Sequence, residues 1–436
     1  MDNYNWDVVY ACSGTYINAQ LAANRDDYIQ SFDYEDSSIK ISGTFGAWEI
    51  VPGGSEGLLQ FNCPIDTGLV VLKENNKTVT LDGTVPLVQM QLKVIKASDK
   101  SASHNLVFNY KTVGKQKGDT TPGAVTVIDP DITGKLKQEE YGGLAAELLV
   151  NGLGQCFIQN TDKLSFIFAQ VLPTPTGKNS DWLAPKAFSY AYQQPDSDAL
   201  GGLAILELLD STDMSSLPRN FDIALLDKED FGFLLSAHQF MKNVILPDLP
   251  NSLGGNCSVN DFKFDGDTSL TLANNFNLDS VKVGAIHYTP KVQDLTFAIE
   301  DTSMRCYIDT KTDITGLTHA YVTNSVTSNN PSSFDIKTRL LSFEKDPNME
   351  TASHKHIPWW EEAVGALTLG LMNAIIEGIG EAIENAVEDL NESKTATNFG
   401  QVAPGLVSWS GQKNITVNAG GLEDNVFMQG VVNNKE

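Results

Sequence analysis

The chain has 436 residues and a formal net charge of −25, from 55 acidic and 30 basic residues. A charge of this sign and size repels the phosphates of nucleic acids and anionic membrane surfaces, so nucleic acid is not expected as a partner. A hydrophobic content of 41 % excludes a largely disordered chain, and the length predicts two domains or one elongated molecule.

The first half is predicted to contain two helices with strands around them. Apolar residues recur at helical spacing in residues 15–28 and 137–151, and Gly152 and Gly154 are expected to end the second helix. Alternating apolar and polar residues predict the strands. The clearest strand segments are residues 38–45, 79–81, 88–94 and 166–172.

The second half is predicted to follow the same order of elements. A strand is expected at residues 221–225 and a helix at residues 228–241, where Phe and Leu residues recur at helical spacing. A long helix is predicted at residues 359–390. The other strand segments are residues 281–285, 295–299, 415–417 and 426–432.

The similar order suggests a repeat that aligns Asp7 with Asp222 and Tyr16 with Phe231. Because few residues are identical between the halves, two hypotheses stay open. The chain is either an internal duplication or two α+β domains that share an order of elements. In both cases we predict an N-terminal half at residues 1–215 and a C-terminal half at residues 216–436.

The helix predicted at residues 359–390 is apolar on nearly all sides from Ala363 to Ile376. Only 14 residues separate Glu362 from Glu377, fewer than the ~20 that a membrane-spanning helix needs, so the protein is not expected to be transmembrane. A helix that is apolar all round must be enclosed, and strands flank it in sequence. We therefore predict an elongated α+β fold in which highly curved antiparallel sheets wrap long helices.

This helix also carries the predicted ligand contacts. Its glycines allow either close packing of strands or a seam that an acyl chain fills, and release of the helix toward a membrane is a third hypothesis. These glycines are Gly365, Gly370, Gly378 and Gly380. The residues expected to line an apolar cavity, with one of the tryptophans at its mouth, are Trp359, Trp360, Leu367, Leu371, Ile375 and Ile379.

No catalytic or metal-binding motif is recognisable. His354 and His356 would share one face of a strand but lack a third ligand at a recognisable spacing. Asp261, Asp265 and Asp267 lack the spacing and the closing Glu of an EF-hand, which favours a polar hairpin turn. We therefore predict no catalytic residue, metal or cofactor, while an enzyme whose site is assembled only in space stays an open hypothesis.

The ends and the cysteines of the chain bear on its compartment. Residues 1–7 have neither a basic nor an apolar region, so no signal peptide is predicted. Five widely separated cysteines without a Cys-x-x-Cys pair predict reduced, mostly buried thiols. The expectation is a soluble protein that is made in the cytoplasm.

Several segments resemble the clostridial P-forty-seven family of accessory proteins, which are encoded beside OrfX proteins in botulinum neurotoxin gene clusters. Ala184-Pro185 stands where that family usually has Lys-Pro, and a homologue from an insecticidal cluster is equally compatible. The segments are Trp6-Asp7-Val8-Val9-Tyr10, Trp182-Leu183-Ala184-Pro185 with Phe188-Ser189-Tyr190-Ala191-Tyr192, and His356-Ile357-Pro358-Trp359-Trp360.

The resemblance implies a fold similar to the tubular lipid-binding (TULIP) superfamily, in which a curved sheet wraps a long helix. It implies a non-enzymatic accessory protein that binds a lipid or another hydrophobic molecule between sheet and helix. The alternative is a structural protein that docks onto a neurotoxin or its sister accessory proteins without a lipid. In either case the resemblance implies release from the cell with a toxin complex.

Overall fold

The computed structural model describes residues 1–98, 102–174, 180–196, 199–357 and 365–434, without the side chains of residues 365–367. The described residues form mostly antiparallel sheets and few helices, so the predicted α+β class is confirmed. The α-helices are α1 (Gly14–Ala23), α2 (Gly142–Gln159), α3 (Ala237–Phe240), α4 (Leu249–Leu253), α5 (Gly365–Glu392) and α6 (Lys394–Val402).

Among the described residues, the strands of ten or more residues all lie in the second half. They are β1 (Val8–Ser13), β2 (Ser31–Glu35), β3 (Ile39–Phe45), β4 (Glu49–Ser55), β5 (Leu58–Asn62), β6 (Ile65–Leu72), β7 (Lys77–Thr80), β8 (Leu87–Met90), β9 (Leu92–Lys96), β10 (His104–Phe108), β11 (Thr112–Val113), β12 (Ala124–Asp129), β13 (Ile167–Val171), β14 (Ala187–Gln193), β15 (Gly202–Leu208), β16 (Phe231–Leu235), β17 (Phe262–Phe264), β18 (Ser269–Leu272), β19 (Val281–Val283), β20 (Ile286–Tyr288), β21 (Lys291–Glu300), β22 (Ser303–Asp313), β23 (Tyr321–Asp335), β24 (Leu340–Phe343), β25 (Glu350–His356), β26 (Val407–Trp409), β27 (Gln412–Glu423) and β28 (Asn425–Asn434).

A six-stranded central sheet, in the order β14-β15-β1-β16-β28-β27, joins the two predicted halves. Its middle strands β1 and β16 pair antiparallel about Tyr10 and Phe233, whose ring centroids are 5.2 Å apart. Tyr10 faces the main hydrophobic core and Val9 faces a smaller second core. The sheet therefore combines strands from both sides of residue 215, and the division into halves at that residue stays a prediction.

The register of the central sheet repeats along the chain. Val8 of β1 pairs with Glu207 of β15, and Phe231 of β16 pairs with Gly430 of β28. Phe231 lies as far beyond Val8 in the sequence as Gly430 lies beyond Glu207. The strand pairs β1–β15 and β16–β28 thus have the same register at a single sequence offset.

The helices α1 and α3, which follow the middle strands β1 and β16, begin at positions separated by the same offset. Ser13 caps α1 through a hydrogen bond from the Tyr16 amide, and Ser236, which lies one such offset later, caps α3 through one from the Gln239 amide. The shorter offset predicted from the sequence is wrong as a structural alignment. It places Tyr16, which lies in a helix, against Phe231, which lies in a strand.

The helix predicted at residues 228–241 is wrong over its first part. Phe231–Leu235 is the strand β16, with all five residues buried, and the short helix α3 begins only after Ser236. A strand buried on both faces is apolar without interruption, so its residues satisfy helical spacing as well.

The strand predicted at residues 221–225 is also wrong. Ile223–Leu226 forms a 3-10 helix, and the Asp222 carboxylate accepts a hydrogen bond from the Ala224 amide at its start. A local side-chain bond of this kind offers the backbone an alternative to strand pairing.

Helix α2 continues past the glycines that were expected to end it. A Cβ at Gly152 would lie 2.7 Å from Ile39 Cδ1, and one at Gly154 would lie 2.8 Å from Val113 Cγ1. Both glycines therefore serve close contact between the helix and strands, and the helix ends only at Gln159.

The other predicted elements are confirmed with shifted bounds, α1 among them. The strand predicted at residues 88–94 divides at Gln91 into β8 and β9. The Gln91 side chain accepts a hydrogen bond from the Gly123 amide and donates one to the Thr121 carbonyl. The confirmed strands are β3, β7, β13, β19, β21, β27 and β28.

Candidate functional site

Helix α5 is the element on which the predicted ligand contacts lie. It spans Gly365–Glu392, so the predicted long helix is present over most of its expected length. Trp359 and Trp360 lie outside the described residues, as does the side chain of Leu367.

The other three predicted contacts form one buried stripe. Leu371, Ile375 and Ile379 recur every four residues and are at most 1 % exposed. Ile383 and Val387 continue the stripe, and all five residues belong to the main hydrophobic core. Their burial follows from the spacing, because residues four apart lie on the same face of a helix.

A two-stranded hairpin, β19–β20, forms a sheet of its own and packs against the glycine side of α5, where Gly378 is partly buried and Gly370 is exposed. A Cβ at Gly378 would lie 2.8 Å from Val281 Cγ1, and one at Gly370 would lie 4.0 Å from Val283 Cγ1. The helix and the hairpin are therefore in close contact in this structure. Of the two roles predicted for these glycines, this contact agrees with close packing of strands.

The C-terminal part of α5 is held by polar contacts. The Asn391 side chain accepts a hydrogen bond from the Phe343 amide and donates one to the Phe343 carbonyl, at 2.8 and 2.9 Å. Lys345 Nζ lies 3.1 Å from Glu384 and 3.3 Å from Glu388, and its bond to Glu384 raises the pKa of the lysine. Such exposed ion pairs contribute little to stability, so Asn391 is the stronger polar anchor.

A small cavity lies where the hairpin meets α5. Its volume is about 170 Å³, and its lining includes Ser252, Asp279, Val281, Gly378 and Glu381. Sites for drug-sized ligands are larger, at about 300–1,000 Å³, and mostly apolar. This cavity is therefore smaller than a typical ligand site.

A wider open cleft of about 850 Å³ lies away from α5. Its lining carries the carboxylates of Asp222, Asp227, Glu229 and Asp230 together with Lys228 and contains no residue of α5. This cleft is larger than the cavity at α5 and is open to solvent.

The histidines and aspartates considered as metal ligands make strand and turn contacts. His354 and His356 lie on one face of β25, and the His356 ring stacks on Tyr321 with centroids 4.8 Å apart. Among the described residues, no group of three His, Cys, Asp or Glu side chains is placed to hold a metal ion.

The aspartates near residue 265 form a turn, as predicted. Asp265 and Asp267 belong to the hairpin turn between β17 and β18, and the Asp265 amide donates to the Ser269 carbonyl. The Asp261 carboxylate instead accepts hydrogen bonds from the amide and hydroxyl of Ser258.

Buried titratable groups lie in the core. Burial raises the pKa of Glu207 on β15 to about 8, and its Oε1 has no hydrogen-bond partner within the described structure. The five cysteines are free, and burial raises the pKa of both Cys156 and Cys257 to about 12, so these thiols are poor nucleophiles.

The hairpin that covers α5 was missed as part of the site, although its alternation was recognised. Gly370 and Gly378 are eight residues apart, which places them on similar sides of a helix. That spacing was the available signal for a facing strand.

In the described part of the chain, no helix combines the length and apolarity needed to cross a bilayer.

Comparison with known proteins gives consistent matches along the chain. The family model "OrfX-like: Protein OrfX2/OrfX3/P47" matches residues 3–337. Protein P47 of Clostridium botulinum (strain Kyoto / Type A2) is 28 % identical over 433 residues, which covers 96 % of this chain and 98 % of that protein. Protein OrfX3 of the same strain is 23 % identical over 340 residues, or 71 % of this chain and 69 % of that protein.

Two solved structures share the fold. P47 from C. botulinum A2 has a TM-score of 0.73 and 25 % identity, with 99 % of this chain and 98 % of that chain covered. P47 of C. botulinum E1 has a TM-score of 0.71 and 23 % identity, with 99 % and 100 % covered. The mixed α+β architecture is thus that of the P47 structures.

Proposed function

Because the chain belongs to the OrfX-like family and is homologous to the P47 and OrfX accessory proteins of toxin gene clusters, we propose that it is a non-enzymatic accessory protein that binds a lipid or another hydrophobic molecule along α5. The architecture proposed with this function is tubular, with curved antiparallel sheets wrapped around α2 and α5. The ligand lies between α5 and the elements that cover it.

The cover of α5 is the observation that supports this proposal. The buried stripe of Leu371, Ile375 and Ile379 is enclosed on its glycine side by β19–β20, a sheet of only two strands. A two-stranded hairpin is marginally stable by itself in water. It is therefore the element of the enclosure that opens at the lowest free-energy cost, and an acyl chain that enters beneath it would replace the contacts between the hairpin and the glycines.

A reversible lock on the hairpin tests the proposal. A Cβ at position 370 lies 4.0 Å from Val283 Cγ1, so Gly370→Cys and Val283→Cys place two thiols next to each other for cross-linking by oxidation. The oxidised double variant should take up no fluorescent acyl probe, and a reductant should restore uptake. The wild-type protein and each single variant should take up the probe with or without reductant.

Two results would count against this proposal. Full uptake by the oxidised double variant would show that the ligand does not enter beneath the hairpin. Absence of uptake by the wild-type protein at micromolar probe would remove the binding function itself.

The alternative is assembly onto a neurotoxin or sister accessory proteins without a lipid. Similarity to both P47 and OrfX3, two members of one family, favours it. Pull-down with the products of the same gene cluster discriminates between the two functions. Retention of a partner by lipid-free protein favours assembly, and its absence at micromolar concentration counts against it.

A further inference from the structure

The sheet that packs against α5 carries buried polar residues on its inner face, Thr310 and Thr312 on β22 and Asn324, Ser328 and Asn330 on β23. On β22 the inward residues Met304, Cys306 and Ile308 are followed by Thr310 and Thr312, all at most 2 % exposed. A buried polar group that lacks a partner destabilises the fold, so each member of this polar region requires an explanation.

Most of the polar groups on this face have partners. The Ser328 hydroxyl donates to Asn330 Oδ1 at 2.7 Å, and Asn330 Nδ2 donates to the Glu344 carbonyl at 2.8 Å. The Thr310 hydroxyl donates to the Asn324 carbonyl at 3.3 Å. The burial of these polar groups is therefore explained by hydrogen bonds within the protein.

Two buried polar groups on this face lack such hydrogen bonds in the described part of the chain. Thr312 Oγ1 and Asn324 Nδ2 have no hydrogen-bond partner within the described residues, although their residues are only 2 % and 1 % exposed. Thr310 pairs with Asn324 and Thr312 pairs with Val322, so the two unpartnered groups are diagonal neighbours on one face. Diagonal neighbours on a sheet are about 7–8 Å apart, a distance that one small polar group can bridge.

A positively charged side chain, that of Lys355, lies on the same face of the sheet. Val322 pairs with Lys355 on β25, so the lysine side chain lies on the same face as Thr312, at the exposed sheet edge. Lys355 takes part in none of the ion pairs among the described residues. Within β22, β23 and β25 it is the one charged residue on the inner face.

From this arrangement we infer that Thr312, Asn324 and Lys355 form the head-group site of the proposed ligand, and that the ligand is a single-chain fatty acid held by its carboxylate. All three side chains offer donors, and a carboxylate accepts from several donors at once. The acyl chain then runs along the apolar stripe of α5. This inference rests on the proposed function and adds the class of ligand.

Native mass spectrometry of full-length protein tests the inference. The lipid-stripped protein is offered equal amounts of palmitic acid, monopalmitoylglycerol and palmitoyl lysophosphatidic acid. The wild type should favour palmitic acid over the uncharged ester by about tenfold, the range expected for charge-assisted hydrogen bonds. Lys355→Gln should reduce this preference and Lys355→Arg should keep it.

Thr312→Val separates a ligand contact from a structural role. The variant removes an unpartnered buried hydroxyl, so its unfolding midpoint should rise or stay unchanged, while its preference for palmitic acid should fall to within about twofold. Asn330→Leu is the matched control on the same face. It breaks two hydrogen bonds, so it should lower the midpoint and leave the preference unchanged.

The outcomes distinguish this inference from the proposed function. Uptake of all three lipids without preference would overturn the head-group site and leave hydrophobic binding standing. A preference for the lysophosphatidic acid would overturn the carboxylate assignment. Absence of any lipid uptake would remove the proposed function, and the head-group site with it.

Discussion

At the scale of single residues, Asp7 connects the start of β1 with the end of β15 and with helix α3. Its carboxylate accepts hydrogen bonds from the Leu209 amide at 2.7 Å and from Gln239 Nε2 at 3.1 Å. The neighbouring Trp6 is 1 % exposed, and its indole N–H donates to the Pro218 carbonyl. The Trp-Asp pair at the start of β1 therefore has a structural role in this fold.

We predict that Asp7→Ala lowers the free energy of unfolding by about 2–3 kcal/mol, because it removes two hydrogen bonds to a charged group. Urea unfolding of the variant measures this change. Asp26→Ala, which removes an exposed carboxylate near α1, controls for the loss of one charge. A variant as stable as the wild type would contradict the structural role of Asp7.

Glu207 gives a prediction about pH. Its pKa rises from 4.5 in the unfolded chain to about 8 in the fold, because burial disfavours the carboxylate. The contribution of this group to stability is therefore fully present below pH 4.5 and is lost as the pH rises to about 8. Over this range wild-type stability should fall relative to Glu207→Gln, by an amount on the order of a few kcal/mol.

Urea unfolding at pH 5, 7 and 9 measures this difference. Glu207→Gln should gain stability over the wild type between pH 5 and pH 9, since its amide holds no titrating proton. Glu147→Gln on the exposed side of α2 controls for the loss of one negative charge. Parallel pH profiles for the wild type and Glu207→Gln would refute the assignment of a buried, protonated carboxyl group.

At the scale of elements, the two central glycines of α5 should respond in opposite ways to alanine. A Cβ at Gly378 would lie 2.8 Å from Val281 Cγ1, whereas one at Gly380 would lie 3.6 Å from the flexible Met349 side chain. Gly378→Ala should destabilise the protein by about 1–3 kcal/mol through overpacking. Gly380→Ala should be neutral or stabilising by up to about 1 kcal/mol, because alanine favours the helix.

Thermal or urea unfolding of both variants checks this pair, each being the control for the other. Equal effects of the two substitutions would contradict close contact between the hairpin and α5.

The elements that the sequence predicted well are those whose periodicity has one interpretation. The alternation in β3 and β21 and the charged outer face of α5 each favour one structure. The strand β16 was missed because an uninterrupted apolar run has no distinguishing period. Helix α2 was predicted too short because Gly152 and Gly154 look like a helix end, and only the contacts with Ile39 and Val113 show otherwise.

The candidate site was predicted in part. Spacing alone placed Leu371, Ile375 and Ile379 on one buried face. The cover formed by β19–β20 and the unpartnered groups of Thr312 and Asn324 were not predicted. They depend on contacts between residues far apart in the chain, which local periodicity does not encode.

At the scale of the whole molecule, the central sheet makes the two predicted halves depend on each other. The two halves are joined by the pairing of β1 with β16 and by the hydrogen bond between Asp7 and Gln239. On either side of this junction, β1–β15 and β16–β28 pair in the same register, and Asp7 also bonds to Leu209. In separate halves β1 and β16 would each become an edge strand that is unpaired on one side, which promotes aggregation.

We therefore predict that residues 1–215 and residues 216–436, expressed separately, aggregate or remain poorly folded, and that co-expression yields a soluble complex. Size-exclusion chromatography with circular dichroism distinguishes these states. Two monomeric, cooperatively folded fragments would contradict the dependence and would favour two independent domains.

Native mass spectrometry of the purified protein, with lipid extraction alongside, tests whether a hydrophobic molecule is held along α5. We expect a mass above that of the chain, with the excess recovered as an extractable lipid. Stripped protein should take up lipid again, and oxidation of the Gly370→Cys/Val283→Cys pair should block this uptake. A mass equal to that of the chain alone, with no uptake when lipids are offered, would contradict the account and leave assembly with other cluster proteins as the function to pursue.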